Sequence, residues 1–210
     1  MNAADVRDWV YPRLQSDLGG AGFRLNKSKE SFARRILGGR QFVVIALVDY
    51  EPVFELSAIL EIRLDAAEAI VNRFSGVDPK DHASTVTVLT QLSALTAEAD
   101  QRWRGDNDLP AAIDRFATAV ARHAVPFLDR YQDVISIDQA MNVTPIRGFN
   151  SPQLPYSAMA EIAVAHLARN PAYGRVVADA VRACAGLQEG DQDKLRALVA
   201  YVEGLRAART

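Results

Sequence analysis

Features that usually point to a function are scarce in this sequence. The 210 residues include a single cysteine, Cys184, so an intramolecular disulfide is excluded and a cytoplasmic setting is the default expectation. No run approaches the roughly 18 apolar residues that a membrane-spanning helix needs. The stretch from Met1 to Trp9 lacks the apolar core of a signal peptide. We therefore expect a cytoplasmic protein with no membrane as a partner.

Charge and motif content exclude further classes of protein. The formal net charge of −2 gives no electrostatic reason to expect nucleic acid as a partner. The basic residues are 20 arginines and 4 lysines, a bias that we attribute to codon usage in a GC-rich genome rather than to anion recognition. Glycine-rich phosphate-binding strings, the nucleophile elbow and the zinc-binding H-E-x-x-H string are missing from the sequence. We accordingly assign no cofactor, no metal site and no catalytic residue.

What the sequence does contain is a sheet pattern between Gly22 and Arg63. Three segments with strand-like alternation are separated by Gly38-Gly39 and by Tyr50-Glu51-Pro52, which are typical of tight turns. The segments are 31–37, 41–49 and 53–63. In the third segment one side is apolar and is predicted to be buried, with Phe54, Leu56, Ala58, Leu60 and Ile62. The other side carries polar residues and is predicted to face solvent.

Helical periodicity accounts for most of the remaining chain. Helices are predicted at 4–19, 65–75, 109–131, 156–169, 171–185 and 190–208, and a fourth strand at 85–90. Pro12 and Pro126 fall inside two of these helices, so a kink or break is expected at each. In the first helix, Val6, Trp9, Val10, Leu14 and Leu18 are predicted to share the buried face. The predicted fold class is α+β, an antiparallel four-stranded β-meander packed by helices.

A stretch rich in proline and glycine divides the chain at 143–155. We interpret it as a linker. The predicted organisation is an α+β domain at 1–142 followed, after the linker, by a helical C-terminal region at 156–210 that packs on the first domain.

The N-terminal part also resembles a known family. The resemblance rests on Gly22-Phe23-Arg24, on Ser31-Phe32-Ala33-Arg34, and on the apolar strands at Val43–Val48 and Phe54–Ile62. These residues are similar to the start of a bacterial family that shares a domain of unknown function, number 4304. Trp103 and the segment at 125–128 also suit its pattern, and the similarity covers roughly residues 5–130. It implies a β-meander followed by helices, and it transfers no activity and no catalytic residue.

Isolated reactive side chains are given structural or surface roles. The three histidines, His82, His123 and His166, lack a second ligand at the helical spacing that zinc sites use. Cys184 lies beside Arg182, which could lower the pKa of a thiol, but its alanine-rich surroundings favour a small buried hydrophobic residue.

Three polar side chains of the predicted sheet form the candidate ligand site. Glu55 and Glu61 lie on the polar side of the third segment, and the first segment can place Arg34 opposite them. Two carboxylates in different environments can divide acid and base roles. A cross-strand lattice of opposite charges, which contributes only about 0.2–1 kcal/mol per pair, explains the same residues. A pocket and a surface lattice both remain open.

These patterns favour a non-enzymatic bacterial protein that binds another protein, such as an accessory or immunity-like module. The amphipathic C-terminal helices also suit self-association into a homo-oligomer. The alternative is a small-molecule-binding or enzymatic domain whose pocket lies on the polar face of the sheet. Burial of Arg34, Glu55 and Glu61 in a concave pocket would favour the alternative.

Overall fold

The computed structural model describes residues 3–49, 54–96, 103–104, 108–145, 149 and 153–208. The predicted turn at Tyr50-Glu51-Pro52 and parts of the predicted linker lie outside these residues. The fold is α+β, as the sequence predicts, and is built on an antiparallel sheet. Among the described residues, no helix is both long enough and apolar enough to cross a membrane.

The sheet contains six strands in the described part of the chain. They are β1 (Arg24–Asn26), β2 (Ser31–Ile36), β3 (Gly39–Asp49), β4 (Phe54–Leu64), β5 (Val88–Gln91) and β6 (Trp103–Arg104). Their order is β1-β2-β3-β4-β5, and β6 pairs with β4. The predicted number of four strands is too small because β1 and β6 are only three and two residues long. Such short strands show no alternation in a sequence and depend on pairing with a longer neighbour.

The same described residues form eight α-helices. They are α1 (Ala3–Gly20), α2 (Asp65–Val71), α3 (Leu109–Ala119), α4 (Val125–Arg130), α5 (Val134–Asp138), α6 (Tyr156–Leu167), α7 (Tyr173–Cys184) and α8 (Glu189–Ala207). Short 3₁₀ turns occur at Lys27–Lys29, Pro79–Ser84 and Leu92–Ala94.

The chain forms two compact units, each made of separate stretches of sequence. The first contains Met1–Ile36, Arg40–Ile62 and Leu89–Tyr131. The second contains Leu37–Gly39, Arg63–Val88 and Gln132–Thr210. In the second unit α6 packs against α2, α5, α7 and α8. This central place fits its sequence, because apolar residues occur around most of the circumference of α6 and are buried there.

Residues on both sides of β4 are buried or half-buried, so the prediction that its polar side faces solvent is wrong. The alternate residues of β4 that were predicted to be buried, Phe54, Leu56, Ala58, Leu60 and Ile62, are each at most 4% exposed. Phe32 of β2 packs edge-on against Tyr11 of α1, with ring centroids 6.3 Å apart. Gln41 of β3 is fully buried and donates from Nε2 to the backbone oxygens of Leu128 at 2.7 Å and Tyr131 at 2.8 Å. These bonds fix the end of α4 to the sheet.

Two glycines make the turn between β2 and β3 for different reasons. Gly38 has a φ of +74°, a conformation that glycine adopts without steric cost. Gly39 instead allows a close approach, because a Cβ atom there would lie 1.9 Å from the backbone oxygen of Arg63. Any side chain at position 39 would therefore displace the backbone of β4.

The two helix prolines have different consequences. Pro126 follows a π-helical turn at Val120–Ala124 that joins α3 to α4. A proline lacks the amide donor and its ring clashes with the carbonyl four residues earlier, so a widened turn accommodates it. At Pro12, in contrast, α1 continues without a break from Ala3 to Gly20. Val6, Val10, Leu14 and Leu18 are buried as predicted, but Trp9 is 51% exposed and does not belong to that face.

Candidate functional site

Arg34, the predicted cation of the ligand site, is committed to contacts within the first unit. Its Nε donates to Oε1 of Gln41 at 2.7 Å, and its Nη1 donates to the backbone oxygen of Ala21 at 3.1 Å. Its Nη2 lies 2.6 Å from Oδ1 of Asp129, and its guanidinium stacks 4.5 Å above the ring of Phe23. The side chain is only 12% exposed. Arg34 therefore joins the sheet to its covering helix.

The two predicted carboxylates lie apart from Arg34 and from each other. Arg34 is on β2 and the glutamates are on β4, with β3 between the two strands. Glu55 and Glu61 are six positions apart on one strand, which separates them by roughly 20 Å at the rise of an extended chain. Glu55 is 6% exposed, and Glu61 is half-buried, which raises the pKa of its carboxyl through loss of solvation. The structure does not bring the three side chains together, and their role in ligand binding stays a prediction.

The other candidates singled out in the sequence have structural surroundings. Cys184 is buried, and the pKa of its thiol is raised by burial and by the nearby charges of Glu161 and Asp191, which disfavours the reactive thiolate. His82 makes a 3.0 Å hydrogen bond through Nε2 with the backbone oxygen of Val77, and His166 is buried. Within the described residues no three acidic, histidine or cysteine side chains group as metal ligands.

The second unit contains a buried carboxylate that the sequence did not reveal. Glu68 of α2 has no exposed surface. Its Oε1 accepts a hydrogen bond from Oγ1 of Thr87 at 2.8 Å, and its Oε2 accepts one from the phenol of Tyr156 in α6. The pKa of Tyr156 is raised, first by burial and then by the charge and hydrogen bond of Glu68. A carboxylate without solvent is tolerated because donors replace the lost water.

Arg63 completes the surroundings of Glu68 and anchors the following loop. Its Nη1 lies 4.0 Å from Oε2 of Glu68 and donates to the backbone oxygens of His82 at 2.8 Å and Thr85 at 2.5 Å. Its Nε donates to Oδ1 of Asp65 at 2.8 Å. The guanidinium therefore ties the end of β4 to the 3₁₀ turn before β5. We interpret this arrangement as a structural network, because its donors and acceptors are directed at one another.

A second buried network joins α5 to the start of α7 in the same unit. The carboxylate of Asp138 in α5 accepts from Nδ2 of Asn142 at 2.8 Å and from Nδ2 of Asn170 at 2.7 Å. Asn170 then accepts at Oδ1 from the backbone amide of Ala172 at 2.7 Å, just before α7. Arg175 donates to the backbone oxygen of Asn142 at 3.0 Å. This network also has a structural role, since it fixes the start of α7 against α5.

An open groove lies between α1 and β1 in the first unit. Its volume is about 230 Å³, and its lining includes Arg7, Tyr11, Pro12 and Gln15 from α1, with Leu25 and Lys27 opposite. These helix positions lie on one face because they are separated by about one or two turns. Pro12 has no amide hydrogen, so the carbonyl of Asp8 loses its usual helical donor. Asp8 also lines the groove, which therefore combines polar and apolar side chains.

One end of the groove is held by an ion pair. Nη2 of Arg7 lies 2.7 Å from Oε1 of Glu30. Glu30 adopts a left-handed conformation with φ of 48°, and its backbone oxygen accepts from the amide of Ile45 at 2.9 Å. The pKa of the Tyr11 phenol is raised by burial and by Glu30, an effect that Arg7 opposes. Arg7 and Tyr11 are thus positioned by the turn that precedes β2.

The strand that borders the groove is at the edge of the sheet. β1 pairs only with β2 in the strand order, in the register Arg24↔Ala33, Leu25↔Phe32 and Asn26↔Ser31. Outside this pairing, no backbone hydrogen bond joins residues 24–26 to another described segment. Alternate backbone groups along the outer side of an edge strand are free to bind another strand.

One feature of the sequence could have indicated this site, a local cluster of lysines. Two of the four lysines, Lys27 and Lys29, follow Arg24 within a few residues, in a chain whose other basic residues are almost all arginine. Codon usage does not explain a local cluster of lysines. The groove itself could not be predicted, because it depends on how α1 packs beside a three-residue strand.

Comparisons with models of known protein families, with curated proteins and with solved structures found no match to this chain. The resemblance of residues 5–130 to the family of unknown function stays a prediction. Any proposal about function must therefore rest on the geometry of this chain alone.

Proposed function

We propose that this chain is a non-enzymatic, cytoplasmic bacterial protein that binds another protein, as accessory and immunity-like modules do. The observation that supports the proposal is the unpaired outer edge of β1 beside the groove between α1 and β1. Edge strands with an adjacent groove can bind extended segments of other proteins by adding a strand to the sheet. The backbone groups supply affinity, and the groove supplies selectivity for side chains.

The distribution of titratable groups favours binding over catalysis. Four buried or nearly buried charged side chains described above, those of Glu68, Asp138, Arg34 and Arg63, are held by partners within the chain. An acid or base that takes part in a reaction must be able to reach a substrate. The alternative is a small-molecule or enzyme site at Arg34, Glu55 and Glu61. The geometry does not favour this alternative, because the three side chains do not lie together.

The proposal is tested by closing the groove without changing the core. Gln15 is exposed and lines the groove, so Gln15→Trp would fill it with a large side chain. Ser16 is the next residue of the same helix, is also exposed and does not line the groove, which makes Ser16→Trp the matched control. The wild-type protein and both variants are immobilised and exposed to a lysate of the native host, and retained proteins are identified after cross-linking.

We expect a protein that is retained by the wild type and by Ser16→Trp and is lost with Gln15→Trp. Equal retention of all proteins by the three baits would refute a binding role for the groove. Urea denaturation of each variant verifies that both substitutions leave the fold intact, as expected for exposed positions, where changes usually stay within about 0.5 kcal/mol.

A further inference from the structure

The edge strand β1 and the turn after it carry three exposed cations. They are Arg24, Lys27 and Lys29, and within the described part of the chain none of them takes part in an ion pair or a side-chain hydrogen bond. Arg7, Arg13 and Lys194, in contrast, are each paired with a carboxylate at 2.9 Å or less. In a chain with a net charge of −2, three unpaired cations on six consecutive residues form a local positive surface.

The charge of the groove lining agrees with this surface. Lys27 is part of the positive surface and also lines the groove. Arg7 is neutralised by Glu30, and Asp8 is the acidic group of the lining. Counting Arg24, Lys27 and Lys29 against Asp8 leaves a net charge of +2 along the edge strand and the groove. This field would attract an acidic chain and would repel a basic one.

The same charges exclude a second copy of this chain as the occupant. Two copies that paired through β1 would place Arg24, Lys27 and Lys29 of one copy beside those of the other. Like charges facing each other across a strand pair are destabilising, and basic residues on edge strands commonly prevent such pairing. The occupant that fits is therefore a segment of a different protein.

We infer that the groove between α1 and β1 recognises an extended, acidic segment of a protein partner, which pairs with the outer edge of β1 and places carboxylates beside Arg24, Lys27 and Lys29. This inference rests on the proposed function and adds the chemistry of the partner. The backbone edge of β1 favours a polypeptide over other anions, because only a polypeptide can satisfy alternate amide and carbonyl groups along a strand.

The test uses the full-length protein and fluorescently labelled ten-residue peptides that differ only in alternate positions. Those positions carry glutamate, glutamine or lysine, and valine occupies the positions between them. A single-stranded oligonucleotide of the same length serves as a second anion. Binding is followed by fluorescence anisotropy at low and physiological salt, and by the chemical shifts of the Leu25 and Phe32 amides.

A charge variant and a matched control separate recognition from net charge. The variant combines Arg24→Gln, Lys27→Gln and Lys29→Gln. The control combines Arg115→Gln, Arg122→Gln and Arg130→Gln, which removes the same charge from exposed positions of the same unit that do not line the groove. We expect the glutamate peptide to bind about tenfold more weakly to the charge variant, a loss that three partly screened ion pairs can supply, and to bind normally to the control.

Each other result contradicts the inference in a distinguishable way. If the glutamine or lysine peptide binds as tightly as the glutamate peptide and Gln15→Trp blocks it, the partner is not acidic, while the proposed function stands. If the oligonucleotide binds as tightly as the acidic peptide, the cations form a general anion surface and the inference fails. If no probe binds the wild type, recognition of an acidic extended segment is refuted, and the retention experiment with Gln15→Trp decides the proposed function independently.

Discussion

Removing the hydroxyl of Tyr156 should measure how much its hydrogen bond to the buried Glu68 contributes to stability. In Tyr156→Phe the ring remains in place and only the hydroxyl that donates to Oε2 of Glu68 is lost. Glu68 has no exposed surface, so water cannot easily replace this donor. A hydrogen bond to a charged group contributes about 1.5–3 kcal/mol, and we expect the free energy of unfolding to fall by about 2 kcal/mol. That is a substantial fraction of a typical total of about 5–15 kcal/mol.

The neighbours of Glu68 provide a check on this magnitude. Thr87→Val removes the other hydroxyl donor, which lies 2.8 Å from Oε1, and it also removes the acceptor of the Leu64 amide. Because both donors act on one carboxylate, the double variant should depart from the sum of the single effects by at least about 0.5 kcal/mol. Tyr201→Phe is the control, since its phenol accepts a hydrogen bond from Arg73 in an exposed setting and should matter little.

The pH dependence follows from the raised pKa of Tyr156. In the folded protein the phenol ionises at higher pH than in the unfolded chain, where the pKa is about 10. Its stabilisation is therefore fully present below pH 10 and is lost as the pH rises through the folded-state value. The difference between wild type and Tyr156→Phe, measured by urea denaturation, should be constant from pH 7 to 9 and shrink above pH 10. A wild type no more stable than Tyr156→Phe at pH 7 would refute the role of this hydrogen bond.

Three further substitutions and one control substitution test other elements by the same urea denaturation assay. Gly39→Ala should lower the free energy of unfolding by about 3 kcal/mol, because its Cβ would meet the backbone oxygen of Arg63. Gly174→Ala is the control: a Cβ there meets open space, so the free energy of unfolding should stay unchanged or rise by up to about 1 kcal/mol. Arg34→Lys should cost about 2 kcal/mol since an ammonium cannot keep its three directed contacts, and an unchanged stability would contradict that account. Glu61→Gln should stabilise the protein at pH 7: the raised folded pKa makes ionisation unfavourable in the native state, and the gain should vanish below the unfolded pKa of about 4.3. No gain at pH 7 would show that Glu61 keeps its solvation.

How far the sequence predicted the fold depends on the length of each pattern. The side of β4 that carries Phe54 and Ile62 was predictable because every second residue along its eleven positions is apolar. β1 and β6 are too short for such a pattern. Trp9 was assigned to the buried face of α1 because spacing alone does not fix the edge of an apolar stripe.

The polar networks were beyond sequence reasoning for a different reason. Glu68 occupies an unremarkable position in a short helix, and glutamate is ordinarily exposed. Its burial depends on Tyr156, which is 88 residues away in the chain. The predicted trio does not converge for a related reason: alternation shows that Glu55 and Glu61 share one side of a strand, but it does not show which helix Arg34 meets. The six-residue spacing of the two glutamates already separates them by roughly 20 Å.

The side chains that hold the fold together differ from those proposed to bind the partner, so the two roles can be tested separately. Arg34, Arg63 and Glu68 contact the chain itself, so their substitution should lower the free energy of unfolding. Arg24, Lys27 and Lys29 are exposed, so their replacement should leave that free energy within about 0.5 kcal/mol of the wild type. If the measured free energy of unfolding is unchanged, a loss of peptide binding in the triple glutamine variant does not come from unfolding. Together with normal binding to the arginine control variant and no binding of the oligonucleotide, that loss would assign Arg24, Lys27 and Lys29 to contact with an acidic partner.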